Sequence, residues 1–194
     1  MEIVAVIPAR ANSKRIPNKN IRLLNNHPMV YYAIQNACHS QYITRVIVTT
    51  DSKEVEIIAG QLGVECILRS PELCEDDVAL DAVIYDAVKE IDCEYVVTLQ
   101  PTSPLLKTET LDQAIRFTME QQLDTVISVL NHPKLSWERI EGKMVPSYDK
   151  RLNSQLLPPH YQETGAFLIS KRTVVTVDSR IGENVDVFEL SREE

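Results

Sequence analysis

Ile3-Val4-Ala5-Val6-Ile7 opens the chain with an unbroken apolar run. A strand with one wet face alternates apolar and polar residues. This one does not, so it reads as a strand covered on both sides, as in the middle of a parallel sheet. The signature returns at Val46-Ile47-Val48, Cys66-Ile67-Leu68, Tyr95-Val96-Val97-Thr98-Leu99 and Val126-Ile127-Ser128-Val129-Leu130. Between these runs the spacing turns helical. Val30, Ile34, Ala37 and Cys38 fall at i, i+4, i+7 and i+8 and predict one stripe. Thr50-Asp51-Ser52 supplies cap residues for a helix running to about Leu62, and Gly63 suits its end. Ala79 to Glu90 and Thr108 to Gln121 repeat the pattern, the latter with Leu111, Ala114 and Ile115 on one side. The order βαβαβαβαβ predicts an α/β fold with a mostly parallel sheet and right-handed crossovers.

After Leu130 the rhythm breaks. His132 to Pro159 is polar, holds Pro133, Pro146, Pro158 and Pro159, and contains the only tryptophan, Trp137, read as packing this segment. An excursion of this length is a functional arm, a dimer contact or a disordered loop. The grammar resumes at Ala166-Phe167-Leu168-Ile169 and Val185-Asp186-Val187-Phe188. With no internal repeat, low-complexity tract or linker, residues 1–194 read as a single domain with 132–159 protruding after the fifth strand.

The 194 residues are 44% apolar and 25% charged, ordinary for a globular domain with a sizeable core. No apolar run reaches the roughly 20 residues of a membrane helix. Met1-Glu2-Ile3 lacks a basic leader, and the first apolar run ends before Pro8, so a cytoplasmic location without membrane association is expected. Four cysteines without C-x-x-C spacing and four scattered histidines argue against zinc and for reduced, buried thiols. The net charge of −8 disfavours nucleic acid as a partner. Its distribution says more. From Ile3 to Thr50 there is no Asp or Glu but there are six cations, Arg10, Lys14, Arg15, Lys19, Arg22 and Arg45, so the remainder carries −14. An acidic protein with a purely basic first quarter has reserved a place for a small, dense anion, and its cations are expected to gather at one sheet edge.

Ligands of open α/β sheets bind beyond the carboxyl ends of the strands. The loop after the first strand, Pro8 to Asn20, brings Arg10, Lys14, Arg15 and Lys19 to that edge together with the short donors Asn12, Ser13 and Asn20. Lysine point charges, arginine forks and close hydroxyl or amide groups suit a polyphosphate. The loop contains no glycine, so neither G-x-x-x-x-G-K-[ST] nor G-x-G-x-x-G is present. Side-chain cations must therefore do what backbone amides do elsewhere, and a nicotinamide-dependent oxidoreductase is disfavoured. The plainer alternative is a solvated basic loop.

Ala9-Arg10-x-x-Ser13-Lys14-x-x-Pro17-x-Lys19-Asn20 resembles the signature loop of the acylneuraminate cytidylyltransferases, or CMP-sialic acid synthetases. Arg69-x-x-Glu72-Leu73-x-x-Asp76, Leu99-Gln100-Pro101-Thr102-Ser103-Pro104-Leu105 and Thr164-Gly165-Ala166 match further family motifs in order, the last with Thr where the family usually has Asn. The resemblance implies a Rossmann-like three-layer nucleotidyltransferase fold. It implies transfer of CMP from CTP to the anomeric hydroxyl of an acidic keto-sugar, with Mg²⁺ and release of pyrophosphate. It also implies a homodimer whose arm, 132–159, crosses to the neighbouring pocket. Arg10, Ser13, Lys14 and Lys19 would be catalytic, surrounding the triphosphate. Pro8, Ala9, Arg10, Asn20 and Arg69 would hold the nucleotide, and Gln100, Thr102, Glu163 and Gly165 the acceptor sugar. Plainer readings are open for several of these: Arg69 as a surface ion-pair partner of Glu72, Gln100 and Thr102 as a turn imposed by Pro101 and Pro104, and Glu163 and Gly165 as a turn before an edge strand.

Four departures from the family pattern bear on the acceptor and the metal. The Asp-x-Asp metal pair of the family is expected beyond Glu194, as for a C-terminally trimmed chain, so the metal ligands are unknown. No acid lies in Gln100 to Pro104 to replace it. Ser154 stands where sialate enzymes have an Arg, leaving Lys150 or Arg151 for the sugar carboxylate. Ala79, Leu80 and Asp81 fall where a Ser or Thr is expected. The alternatives are a nucleotidyltransferase for another sugar or an alcohol phosphate, and a non-catalytic nucleotide-binding module.

Overall fold

In the computed structural model, which describes every residue except Asn12, Lys14, Arg15 and Asp76, the apolar runs become the strands of one sheet. In chain order the elements are β1 (Ile3–Pro8), β2 (Leu23–Leu24), β3 (His27–Pro28), α1 (Met29–His39), β4 (Arg45–Thr50), α2 (Lys53–Gln61), β5 (Glu65–Leu68), α3 (Leu80–Val88), β6 (Tyr95–Leu99), α4 (Thr108–Glu120), β7 (Thr125–Asn131), β8 (Trp137–Ile140), β9 (Lys143–Pro146), β10 (Tyr161–Lys171) and β11 (Val185–Glu189). The sheet order is β11-β7-β10-β6-β1-β4-β5. β1 pairs in parallel with β4 and β6, and β10 runs antiparallel between β6 and β7. Ile3 to Ile7 are all fully buried, as a central strand requires.

Successive strand residues point to opposite faces, and the core divides accordingly. Ile3, Ala5 and Ile7 pack with Val97 and Leu99 under Val30 and Ile34 of α1, Val55 of α2, and Leu111 and Ile115 of α4. Val4, Val6 and Val96 pack against Ile84 and Val88 of α3. Each fully buried Val, Leu or Ile contributes about 1.5–3 kcal/mol, so this alternation fixes the three layers. The Thr50-Asp51-Ser52 triplet divides its labour: Ser52 Oγ caps α2 by accepting from Val55 N (3.2 Å), while Thr50 and Asp51 serve the neighbouring loop. Gly63 follows the helix with φ +71°.

Several expectations need correcting. β5 is an edge strand; Cys66 and Ile67 are half-buried and Leu68 is 57% exposed, and three residues are too few to betray an uncovered face. Cys38 leaves the α1 stripe, where Ala33 joins Val30, Ile34 and Ala37. At 100° per residue, Cys38 lies roughly 80° around from Val30, too far to face the sheet. All four cysteines are free thiols, but only Cys93 is buried, and its burial pushes the thiol pKa up to about 11. Residues 161–171 form an internal strand, not an edge. The aperiodic segment 132–159 contains a two-stranded hairpin, β8–β9, turned by Glu141 and Gly142 with φ +49° and +81°. Trp137 stands edge-on to Tyr148 at 6.0 Å and is half exposed.

Candidate functional site

β1 ends beside β4, and the basic loop is tied down where they part. Ala9 N donates to Thr49 O (3.0 Å), and Thr50 Oγ1 donates to Ala9 O (2.5 Å). Asp51 Oδ1 then accepts from Ala11 N (2.6 Å), so an acid outside the acid-free quarter anchors the start of the loop. At the other end Asn18 takes a left-handed conformation (φ +55°) and leads into a 3₁₀ turn over Lys19–Ile21. There Asn20 Nδ2 donates to Arg10 O (2.8 Å) and closes the loop on itself.

The result is a cleft at the carboxyl edge of the sheet. Pro8, Arg10, Ser13, Lys19 and Asn20 line it from the loop, Arg69 from the end of β5, and Gln100 and Thr102 from the end of β6. Arg69 is not a surface partner of Glu72. Its Nε donates to Thr49 Oγ1 (3.1 Å) and its Nη2 to Thr49 O (2.8 Å), which fix the fork against the wall. Burial disfavours its charge and lowers its pKa, with Asp51 opposing. An arginine nonetheless remains protonated, so this cation gains from an anion brought to it.

Asn20 is only 5% exposed, and its Oδ1 has no hydrogen-bond partner. The amide cannot simply be flipped, because Arg10 O demands a donor and so fixes which end carries nitrogen. The orphaned atom is therefore an acceptor beside the cleft, and it asks for a donating group.

A second hollow adjoins the first and shares Gln100 with it; Thr98, Glu163, Gly165 and Arg180 line its walls. Gly165 has φ +74°, and a Cβ there would lie 3.1 Å from Gln100 Nε2, so the glycine gives the carboxamide its room. Gln100 N donates to Ala166 O (3.2 Å). Arg180 is 9% exposed; its Nε donates to Asp81 Oδ1 (3.0 Å) and its Nη1 to Thr98 Oγ1 (2.9 Å).

Of the residues expected at the site, Pro8, Arg10, Ser13, Lys19, Asn20, Arg69, Gln100 and Thr102 meet at the cleft, and Glu163 and Gly165 meet Gln100 in the adjoining hollow. Lys14 lies outside the described residues. Ala9 is not in the lining: its backbone groups are both bonded and its side chain is fully buried in the core. Arg45 also stands apart, at the amino end of β4, where its Nε donates to Glu65 (2.9 Å). Arg180 carries no sequence signal; it follows no period and finds Asp81 ninety-nine positions away.

Among the described residues no group of three or more His, Cys, Asp or Glu could hold a metal ion, and the cleft lining contains no carboxylate. Mg²⁺ demands oxygen ligands, typically one or two of them carboxylates. The described residues of the cleft offer no such carboxylate, and no chemical step is assigned to Mg²⁺. Among the described residues no helix is long and apolar enough to cross a membrane.

Residues 4–157 match a family model described as cytidylyltransferase. The chain is 32% identical over 208 residues to an N-acylneuraminate cytidylyltransferase of Streptococcus agalactiae serotype V, covering 100% of this chain and 49% of that protein. It is 39% identical over 121 residues to a CMP-N,N'-diacetyllegionaminic acid synthase of Legionella pneumophila, covering 59% of this chain and 52% of that one. The chain thus spans about half the length of these curated relatives. Among solved structures it is similar to CMP:2-keto-3-deoxy-manno-octonic acid synthetase complexed with CTP, with TM-score 0.75, 16% identity and coverage of 98% of this chain and 90% of that one. At that identity the likeness concerns the fold alone.

Proposed function

Since the chain belongs to the cytidylyltransferase family, we propose that it transfers CMP from CTP to the anomeric hydroxyl of an acidic keto-sugar, a sialic acid or related nonulosonate. The acceptor oxygen forms a bond to the α-phosphorus, the bond to the bridging oxygen of the β-phosphate breaks and pyrophosphate leaves, the proton of the hydroxyl passing to solvent. Such a transfer needs positioning and charge compensation, with no covalent protein nucleophile. Arg10, Ser13 and Lys19 on the tied loop, with Arg69 across the cleft, supply the compensation. Lys14 belongs to the same reading by its place in the motif.

One observation carries the nucleotide assignment: Asn20, whose Oδ1 is buried and unpaired, lines the same cleft as the cations Arg10, Lys19 and Arg69. Bare phosphate oxygens cannot satisfy it. A nucleotide supplies both halves, with phosphates for the cations and a ribose hydroxyl or base amine for Oδ1. The acceptor is assigned to the adjoining hollow, where Gln100 faces both compartments and Glu163 and Gly165 complete the wall.

Mg²⁺ is part of the proposed reaction, with no residue assigned to it. A cytoplasmic location and a homodimer are also proposed. The exposed β8–β9 hairpin, with Trp137, Ile140 and Met144 each about half exposed, suits burial against a second copy. Sedimentation at micromolar concentration is expected to show a dimer, and a monomer would contradict this.

The function is tested by supplying CTP, Mg²⁺ and a panel of keto-acid sugars and measuring pyrophosphate. Release dependent on one of the acids is expected, as is tighter binding of CTP than of inorganic tripolyphosphate, which leaves Oδ1 unpaired. Failure to bind CTP at millimolar concentration overturns the reading. Binding without turnover on any acceptor reduces it to a nucleotide-binding module.

A further inference from the structure

Between Glu163 and Leu168 the register of β10 against β7 shifts, so that Thr164 to Phe167 stand opposite Ser128 alone. A bulge takes backbone groups out of the ladder and re-aims the neighbouring side chains. Here two hydroxyls replace the ladder. Ser128 Oγ, fully buried, donates to Phe167 O (2.8 Å) and accepts from Phe167 N (3.0 Å) and from Thr164 Oγ1 (2.8 Å). A hydroxyl has one donor and two acceptor places, so Ser128 is filled. Thr164 Oγ1 in turn accepts from Ala166 N (3.2 Å). The bonds close around Gly165, whose left-handed backbone lies against the Gln100 carboxamide, while Ala166 O holds the Gln100 backbone.

From this geometry we propose that Ser128 and Thr164 are positioning residues, whose hydroxyl pair sets the β10 bulge and thereby aims the Gln100 side chain at the junction of the two hollows. Its kinetic consequence rests on the cytidylyl-transfer reading; its structural consequence does not. Neither side chain lines the cleft or the hollow. Thr164 also stands where the family usually has Asn.

The test is Thr164→Val, which removes the hydroxyl at a half-buried position, with Thr164→Ser as the conservative rescue. In the full chain the Gln100 side-chain NH₂ resonance is assigned by its loss in Gln100→Ala. Heteronuclear NOEs, which report ps–ns motion, are expected to show this amide rigid in the wild type and in Thr164→Ser, and mobile in Thr164→Val. Turnover at saturating CTP is expected to fall by up to about 10²-fold in Thr164→Val, with the KM for CTP unchanged. In a Gln100→Ala background the same substitution is expected to cost nothing further, because the two act as one unit. An unchanged Gln100 amide, or losses that simply add, would overturn the proposal. A wild type that releases no pyrophosphate sinks the functional reading while the NMR comparison still decides the positioning. Ser128→Ala is the second variant; should it fail to fold, Thr164→Val carries the result.

Discussion

Arg10→Ala is expected to lower CTP-dependent pyrophosphate release by about 10²–10³-fold, the cost of about 2.7–4 kcal/mol when a preorganised contact to developing charge is removed. Arg10 stands at the carboxyl edge of β1, and its side chain reaches the cleft from a loop fastened at both ends. Part of the fastening uses its backbone carbonyl, through Asn20. Truncating the side chain keeps this backbone bond and removes the charge and its fork. Arg10→Lys keeps the charge without the paired donors and is expected to recover part of the rate. Steady-state kinetics with thermal melting as a control decides this. An unchanged rate removes Arg10 from the chemistry.

The largest expected effect on stability is at Arg180. Its guanidinium is almost wholly enclosed and bonds Asp81 in the first turn of α3 and Thr98 on β6. It thus ties helix to sheet beneath the hollow that holds Gln100. Removing one member of a buried pair costs about 3–5 kcal/mol, because the other charge is left desolvated. The Asp81 side chain retains 26% exposure, which argues for the low end, about 3 kcal/mol. For a domain of this size each kcal/mol moves Tm by about 2–4 °C, so Arg180→Ala is expected to melt about 6–12 °C lower. Arg180→Ala combined with Asp81→Ala should regain part of the loss, since no unpaired carboxylate remains. A calorimetric shift of under about 2 °C for the single variant would contradict the assignment.

The legible and the illegible parts of the sequence divide along the distance over which a signal acts. β6 matches its apolar run from Tyr95 to Leu99, and Ser52 caps α2 as its position suggests, because strand burial and helix capping are written in neighbouring residues. The basic loop is legible for the same reason. The residues that frame it are not. Asp51 reads as a cap, yet it anchors Ala11 across forty positions. Ser128 looks like one more buried strand position until the β10 register shift places four residues opposite it. Arg180 can be valued only once Asp81 and Thr98 are known to surround it. Ala9 shows the converse: its place in a motif says nothing of where its side chain points.

The antiparallel β10 has a consequence for how the chain is made. β1, β4, β5 and β6 find pairing partners within the first ninety-nine residues, whereas both sheet neighbours of β7, β10 and β11, come later in the chain. Synthesis runs from the amino end, so the segment at 125–131 leaves the ribosome as an apolar strand with both edges open and keeps them open until residues 161–171 arrive. During that interval it is the part of the nascent polypeptide most exposed to pairing with the wrong neighbour.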